Sequence, residues 1–141
     1  MPVEKVLYVA HAQATGGREG RARTQSRVLD VHLTMPKELG GSGAPGSNPE
    51  ELFAAGYSAC FLGALNFVAQ QQKIKLAPES RVDGSVGIGP IPTGFGIEVA
   101  LKISLPGVER SVAEDLVQKA HVVCPYSNAT RGNINVTLTL A

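Results

Sequence analysis

Apolar and polar residues alternate most regularly from Phe95 to Leu105, with Phe95, Ile97, Val99, Leu101, Ile103 and Leu105 at every second position. A period of two predicts a strand with one buried face. Weaker alternation flanks it. Arg81 to Ile88 places Val82, Val86 and Ile88 on one side, and Ile134, Val136, Leu138 and Leu140 alternate near the C-terminus. In the first third, Val3 to Ala10 is rich in β-forming residues, Arg21 to Ser26 is short and polar, and Val28 to Met35 alternates imperfectly. All three read as strands.

Two segments follow a different period. Asn48 suits an N-cap, Pro49 the first helical position and Glu51 the capping-box position. From Leu52 to Ala69 no charged residue occurs over 18 residues, and apolar side chains fall on every face. A helix of that kind is expected to be buried all round. Small residues recur at Ala55, Ala59 and Gly63, and at Gly56, Cys60 and Ala64, so another backbone can approach closely. Covering such a helix in a chain this short calls for a partner subunit. Its length reaches the lower limit for a membrane span, but Gly56, Ser58, Gly63 and Asn66 dilute it, and no membrane role is expected. The second helix opens at an S-x-x-E capping box, Ser111 to Glu114, lines one face with Val112, Leu116, Ala120 and Val123, and stops or kinks before Pro125. The order strands, helix, strands, helix, strand predicts an α+β fold with largely antiparallel pairing.

Length and composition narrow the class. With 141 residues and 43% hydrophobic content, residues 1–141 read as a single domain with a real core. The net charge of +1 argues against a nucleic-acid binder. Arg18, Arg21, Arg23 and Arg27 do cluster, but Glu19 interrupts them and no stacking aromatics stand nearby. The N-terminus lacks the basic region and long apolar run of a signal peptide, and two cysteines are too few for a disulfide scaffold, so a cytoplasmic location is expected. The N-x-T triplets at Asn128 and Asn135 are then chance matches.

Few residues carry chemistry. Gly41-Ser42-Gly43-Ala44-Pro45-Gly46 matches G-x-G-x-x-G, yet no acidic residue occurs between Glu51 and Glu79, so it reads as a loop and not as a dinucleotide site. His121 and Cys124 have H-x-x-C spacing, but only His11, His32 and Cys60 remain to complete a zinc site, and no metal is expected. His121 reads as a helix-surface residue near a C-terminus. Cys60 alone would pass for a small core hydrophobe. Its companions suggest more. Glu50 and Glu51 open the same helix, Cys124 precedes a proline at the end of the next, and Arg18 lies in a Gly-Gly-Arg-Glu-Gly turn. An arginine reaching Cys60 would favour its thiolate, and a carboxylate from Glu50 could orient that arginine.

The segments GGREGRA, PKELGG, NPEELFAAGYSACFLGAL and VCPYSNATRGNINV, in this order, closely resemble the organic hydroperoxide resistance proteins, the Ohr branch of the OsmC-like family. The likeness runs the whole chain. It implies antiparallel sheets wrapped around long buried central helices in an intertwined homodimer, with active sites at the subunit interface. It implies that Cys60 is the peroxidatic cysteine and Cys124 the resolving cysteine, forming a Cys60–Cys124 disulfide. Arg18 then lowers the thiol pKa and holds the peroxide, and Glu50 positions Arg18. The implied substrates are organic and fatty-acid hydroperoxides, and the implied reductant is a dithiol such as a lipoylated protein; no cofactor is implied. Phe53, Tyr57, Phe61 and Phe67 are available for an apolar wall near Cys60. The competing readings are a redox sensor, oxidised once without turnover, a binding module for apolar ligands, and a structural stress protein indifferent to both cysteines.

Overall fold

The computed structural model covers residues 1–141 and divides into two compact units, Met1–Pro49 and Glu50–Ala141. In the first, β1 (Ala12–Thr15), β2 (Arg21–Thr24) and β3 (Asp30–His32) form an antiparallel sheet in sequence order. The Arg21 guanidinium donates to both carboxylate oxygens of Asp30, at 2.6 and 3.1 Å, across the β2–β3 pair. Between β1 and β2 the chain makes a 3-10 turn, Gly17–Glu19, entered through Gly16 and Gly17 in the left-handed region (φ 71° and 58°). Only glycine takes that conformation without strain.

Three expectations for this unit need correction. Val3 to Ala10 is not a strand: it has no regular structure, and Val3, Val6, Leu7, Tyr8 and Val9 are exposed. β-forming residues make a strand only where another strand offers hydrogen-bond partners. The strand expected at Val28 to Met35 is shorter, because its tail leaves the sheet and bridges at Leu33 to Ser47. The glycine-rich segment is no loose loop throughout. A second 3-10 turn, Lys37–Leu39, begins it, and the Thr34 hydroxyl donates to the Ala44 carbonyl at 2.8 Å. This segment follows that turn and not a strand, and the strands on either side of the next helix lie in different sheets, so no βαβ unit frames it.

In the second unit, α1 (Pro49–Gln71) is followed by β4 (Arg81–Ile91), β5 (Gly94–Ser104), α2 (Arg110–Val123), α3 (Pro125–Thr130) and β6 (Val136–Leu140). β4 and β5 form an antiparallel hairpin, and β6 adds to the other edge of β5 in parallel. That parallel pair needs a crossover, which α2 and α3 supply. The predicted alternation holds for Val99, Leu101 and Ile103, which are buried, while Phe95 is exposed beyond the packed part of the sheet. α1 ends with Lys73 at φ 58° and the Ile74 amide donating back to the Ala69 carbonyl at 2.8 Å.

The core joins the buried face of α1 (Tyr57, Phe61, Leu65, Val68) to β5 and to Leu116, Val117 and Ala120 of α2. α1 lies so close over β4 that a Cβ added at Gly84 would stand 2.4 Å from the Ser58 hydroxyl. Within one chain Ala55, Ala59, Gly63, Asn66 and Phe67 are exposed, the side that the sequence reading leaves to a partner subunit. One sheet and one helix cover a single side of a cylinder.

α2 also differs in detail. Its N-cap is Glu109, whose carboxylate accepts from the Ser111 amide at 3.4 Å and from the Ser111 hydroxyl at 2.7 Å. Glu114 pairs with Arg110 at 3.4 Å instead of closing a capping box. The buried stripe is Ala113, Leu116, Val117 and Ala120, while Val112 is half-buried and Val123 exposed.

Candidate active site

Helical periodicity places Tyr57 and Cys60, three residues apart on α1, on neighbouring positions of one side. The opposing group comes from a corner. Pro125 has no amide hydrogen to continue α2, and the residue before a proline is driven toward extended backbone. Cys124 accordingly has φ −63° and ψ 123°, donates its amide to Ala120 at 2.8 Å, and caps both α2 and α3. It therefore sits at the vertex of the α2–α3 corner with no exposed surface.

There the two thiols meet. Both cysteines are free, and the Cys124 thiol donates to Cys60 Sγ at 3.6 Å. A disulfide needs about 2.05 Å, so closure is a shift of about 1.5 Å, within reach of side-chain rotation. Cys60 is half-buried. Burial pushes its thiol pKa up, the Tyr126 backbone N–H bonded to the sulfur pulls it down, and the neighbouring Cys124 thiol adds to the rise.

Aromatic rings pack beside the thiols. Phe53, Tyr57 and Tyr126 have ring centroids 5.5 to 6.2 Å apart, in edge-on and tilted contacts. A Cβ at Gly56 would stand 2.8 Å from the Tyr126 hydroxyl, so glycine lets that ring lie against α1. Of the four aromatics anticipated as a wall, Tyr57 and Phe61 are wholly buried, and Phe67 is half exposed two turns beyond Cys60. The half-buried Phe53 and the partly exposed Tyr126 are the rings offered at this place. An open cavity of about 680 Å³ lies elsewhere, at the β4–β5 hairpin end beside Ile88, Phe95 and Asn133, and includes neither cysteine.

A chain of hydroxyl groups runs behind the thiols. Ser127 Oγ lies 2.8 Å from Tyr57 Oη and 2.8 Å from His121 Nδ1, and Tyr57 Oη lies 3.2 Å from Thr130 Oγ1. Thr130 donates onward to the Tyr126 carbonyl at 3.0 Å. Ser127 has no exposed surface and Thr130 almost none. His121 is therefore not the surface residue expected. It is half-buried, and burial together with the Arg131 charge lowers its pKa. Arg131 ties the same corner from outside, donating to the His121 carbonyl and to Asn128 Oδ1, each at 2.7 Å.

The structure thus brings together Cys60 and Cys124 of the anticipated site residues. Glu50 is half-buried in the first turn of α1. Arg18 is half-buried in the 3-10 turn of the other compact unit. Tyr126, Ser127, Thr130 and Arg131 were not singled out by sequence reasoning. The available signal was their place in the run that follows Cys124-Pro125.

Residues 40–139 match the family model of the OsmC-like proteins. The organic hydroperoxide resistance protein of Xanthomonas axonopodis pv. citri (strain 306) is 64% identical over 138 residues, 98% of this chain and 97% of that one. The crystal structure of an organic hydroperoxide resistance protein from Legionella pneumophila superposes with a TM-score of 0.91 at 47% identity, covering 97% of this chain and 99% of that one. That of OhrB from Bacillus subtilis gives 0.88 at 43% identity, over 96% and 100%.

Proposed function

Because the chain belongs to the OsmC-like family, as one of its organic hydroperoxide resistance proteins, we propose that it is a thiol peroxidase whose reaction runs through Cys60 and Cys124. The observation that carries this reading is the pair of free thiols 3.6 Å apart, one on a long helix and one at a proline-closed corner. A buried structural cysteine needs no such partner, and in a reducing compartment a paired dithiol is more often catalytic than structural.

In the first step the Cys60 thiolate attacks the hydroxyl-side oxygen of the hydroperoxide. The O–O bond breaks, the alkoxide leaves and takes a proton to become the alcohol, and Cys60 becomes a sulfenic acid. Cys124 then attacks the sulfenic sulfur. The S–S bond forms, and the hydroxyl leaves with the Cys124 proton as water. A dithiol, on the family likeness a lipoylated protein, restores both thiols by exchange. Hydrogen peroxide gains nothing from Phe53 and Tyr126, whereas an alkyl chain buries apolar area against them, about 25 cal/mol per Å². That favours organic hydroperoxides as substrates.

Burial acts against the thiolate this chemistry requires, so a cation is needed to offset it. Arg18 is the residue we assign to that role, with Glu50 orienting its guanidinium; both assignments rest on the family likeness. The chain functions as one domain, residues 1–141, in the cytoplasm and as a homodimer. The uncovered face of α1, with Ala55, Ala59, Gly63 and Phe67, supports the dimer.

Steady-state reduction of an alkyl hydroperoxide with dihydrolipoamide tests the reading, with hydrogen peroxide alongside. Turnover faster on the alkyl substrate, abolished in Cys60→Ser and in Cys124→Ser with this reductant, is expected. In Arg18→Ala the Cys60 pKa is expected to rise and the peroxide rate to fall at least tenfold. A Cys60 oxidised once with no turnover would replace the enzyme by a sensor.

A further inference from the structure

Among the contacts that tie α1 to the α2–α3 corner, two share a register. Cys60 faces Cys124 at 3.6 Å, and Tyr57, three residues earlier, meets Ser127, three residues later, at 2.8 Å. The second contact is thus the neighbouring rung of the same ladder. A hydroxyl pair at hydrogen-bond distance holds its partners to a few tenths of an ångström. A thiol pair at 3.6 Å is a soft contact that fixes little by itself. From this register we infer that Tyr57 and Ser127 are positioning residues for the resolving step: their hydrogen bond sets the distance and aim of Cys124 toward Cys60, and His121 holds Ser127 in place. This inference rests on the peroxidase reading only for the reaction it serves; the geometry it invokes belongs to the dithiol itself.

The surroundings fit that role. Tyr57 and Ser127 are fully buried, so water does not compete for the bond. Each hydroxyl in the chain has one proton to donate. Thr130 spends its own on the Tyr126 carbonyl. With Nδ1 of a neutral His121 as acceptor, Tyr57 donates to Ser127 and Ser127 to His121. With His121 protonated, the order reverses: His121 donates to Ser127, Ser127 to Tyr57 and Tyr57 to Thr130. Both orders satisfy every group, so the tie survives a change of histidine charge. Thr130 and Ser127 also frame Tyr126, whose amide bonds to the Cys60 sulfur. One network therefore anchors the corner that presents both Cys124 and that amide. Arg131 fixes the outer side of the corner, while Tyr57, bonded to Ser127 and Thr130 and packed on the Tyr126 ring, ties it inward to α1.

Tyr57→Phe removes one oxygen and keeps the ring, and Ser127→Ala removes the other partner. Reduced wild type and both variants are mixed with one equivalent of an alkyl hydroperoxide. The Cys60 sulfenic acid is trapped with a cyclic diketone at timed intervals and quantified by mass spectrometry. Expected is sulfenic acid formation within about twofold of wild type, with disulfide closure slowed at least tenfold. Under excess peroxide Cys60 sulfinic acid then accumulates. A second arm needs no peroxide: equilibration with reduced and oxidised dithiothreitol, where the disulfide-to-dithiol ratio falls about tenfold in the variants. Lowered melting temperature with unchanged closure and unchanged ratio overturns the inference and leaves a packing role. If wild type forms no sulfenic acid, the peroxidase reading fails, and the dithiothreitol ratio still decides the positioning role.

Discussion

Cys60 by itself resembles any small residue in a helix packed against a core. Its environment separates it from an inert cysteine: a second thiol in contact, a backbone amide on its sulfur, and partial exposure. The pairing with Cys124 was legible from the residues only through family likeness, since 63 intervening residues hide the contact. The hydroxyl chain was not legible at all. Ser127 and Thr130 are residue types that usually mark turns or caps, and their burial depends on the α2–α3 corner that Pro125 creates. His121 departs from its expected surface position for the same reason: its spacing places it near a helix end, and the short α3 folds back to cover it. The folded-state pKa of His121 lies below its ordinary 6.5, so the unfolded chain binds more protons as pH falls through that value. The associated stability is complete above about pH 6.5 and is lost as pH drops toward the lowered folded value. Melting temperature is expected to fall from about pH 7 to about pH 5, and to fall less in His121→Gln. Asp30 and Asp115, held down by Arg21 and Lys119, act only at lower pH. Identical slopes for wild type and His121→Gln would refute the assignment.

At the scale of elements, the alternation of β5 from Val99 to Ile103 and the start of α1 at Pro49 translate directly into structure, because period and helix-start signals are local properties. The register of β6 in parallel with β5 is set by tertiary neighbours and did not show in the pattern, whereas the extent of α2 did, its cap shifting locally to Glu109. The charge-free stretch predicted a fully buried α1, and within one chain it is buried on one side. That mismatch is informative. An apolar face carrying Ala55, Ala59, Gly63 and Phe67 is costly to leave in water, and small residues at every fourth position allow a second helix to pack closely. Sedimentation velocity at micromolar concentration is expected to show a dimer. Gly63→Asp, which places a charge on that exposed face, is expected to weaken it at least a hundredfold. A monomeric wild type would contradict this.

For the molecule as a whole, the α+β fold was readable from element order, and the OsmC-like fold from four short segments spread along the chain. The division into two compact units, Met1–Pro49 and Glu50–Ala141, was not readable as such, since the Gly/Pro-rich segment that ends at the boundary reads equally as a loop within one domain. The second unit holds the dithiol, its hydroxyl network and the two rings beside it. Its sheet, helix and corner together provide what an isolated cysteine lacks, a second thiol already in contact. The central claim is that one peroxide drives these two thiols into one bond. The most direct test is a single-turnover titration of the reduced protein with an alkyl hydroperoxide, read by intact and peptide mass. One equivalent is expected to give one alcohol and a Cys60–Cys124 disulfide within a single chain, with the loss of two hydrogens. Unmodified thiols after mixing, or a disulfide linking two chains, would contradict it.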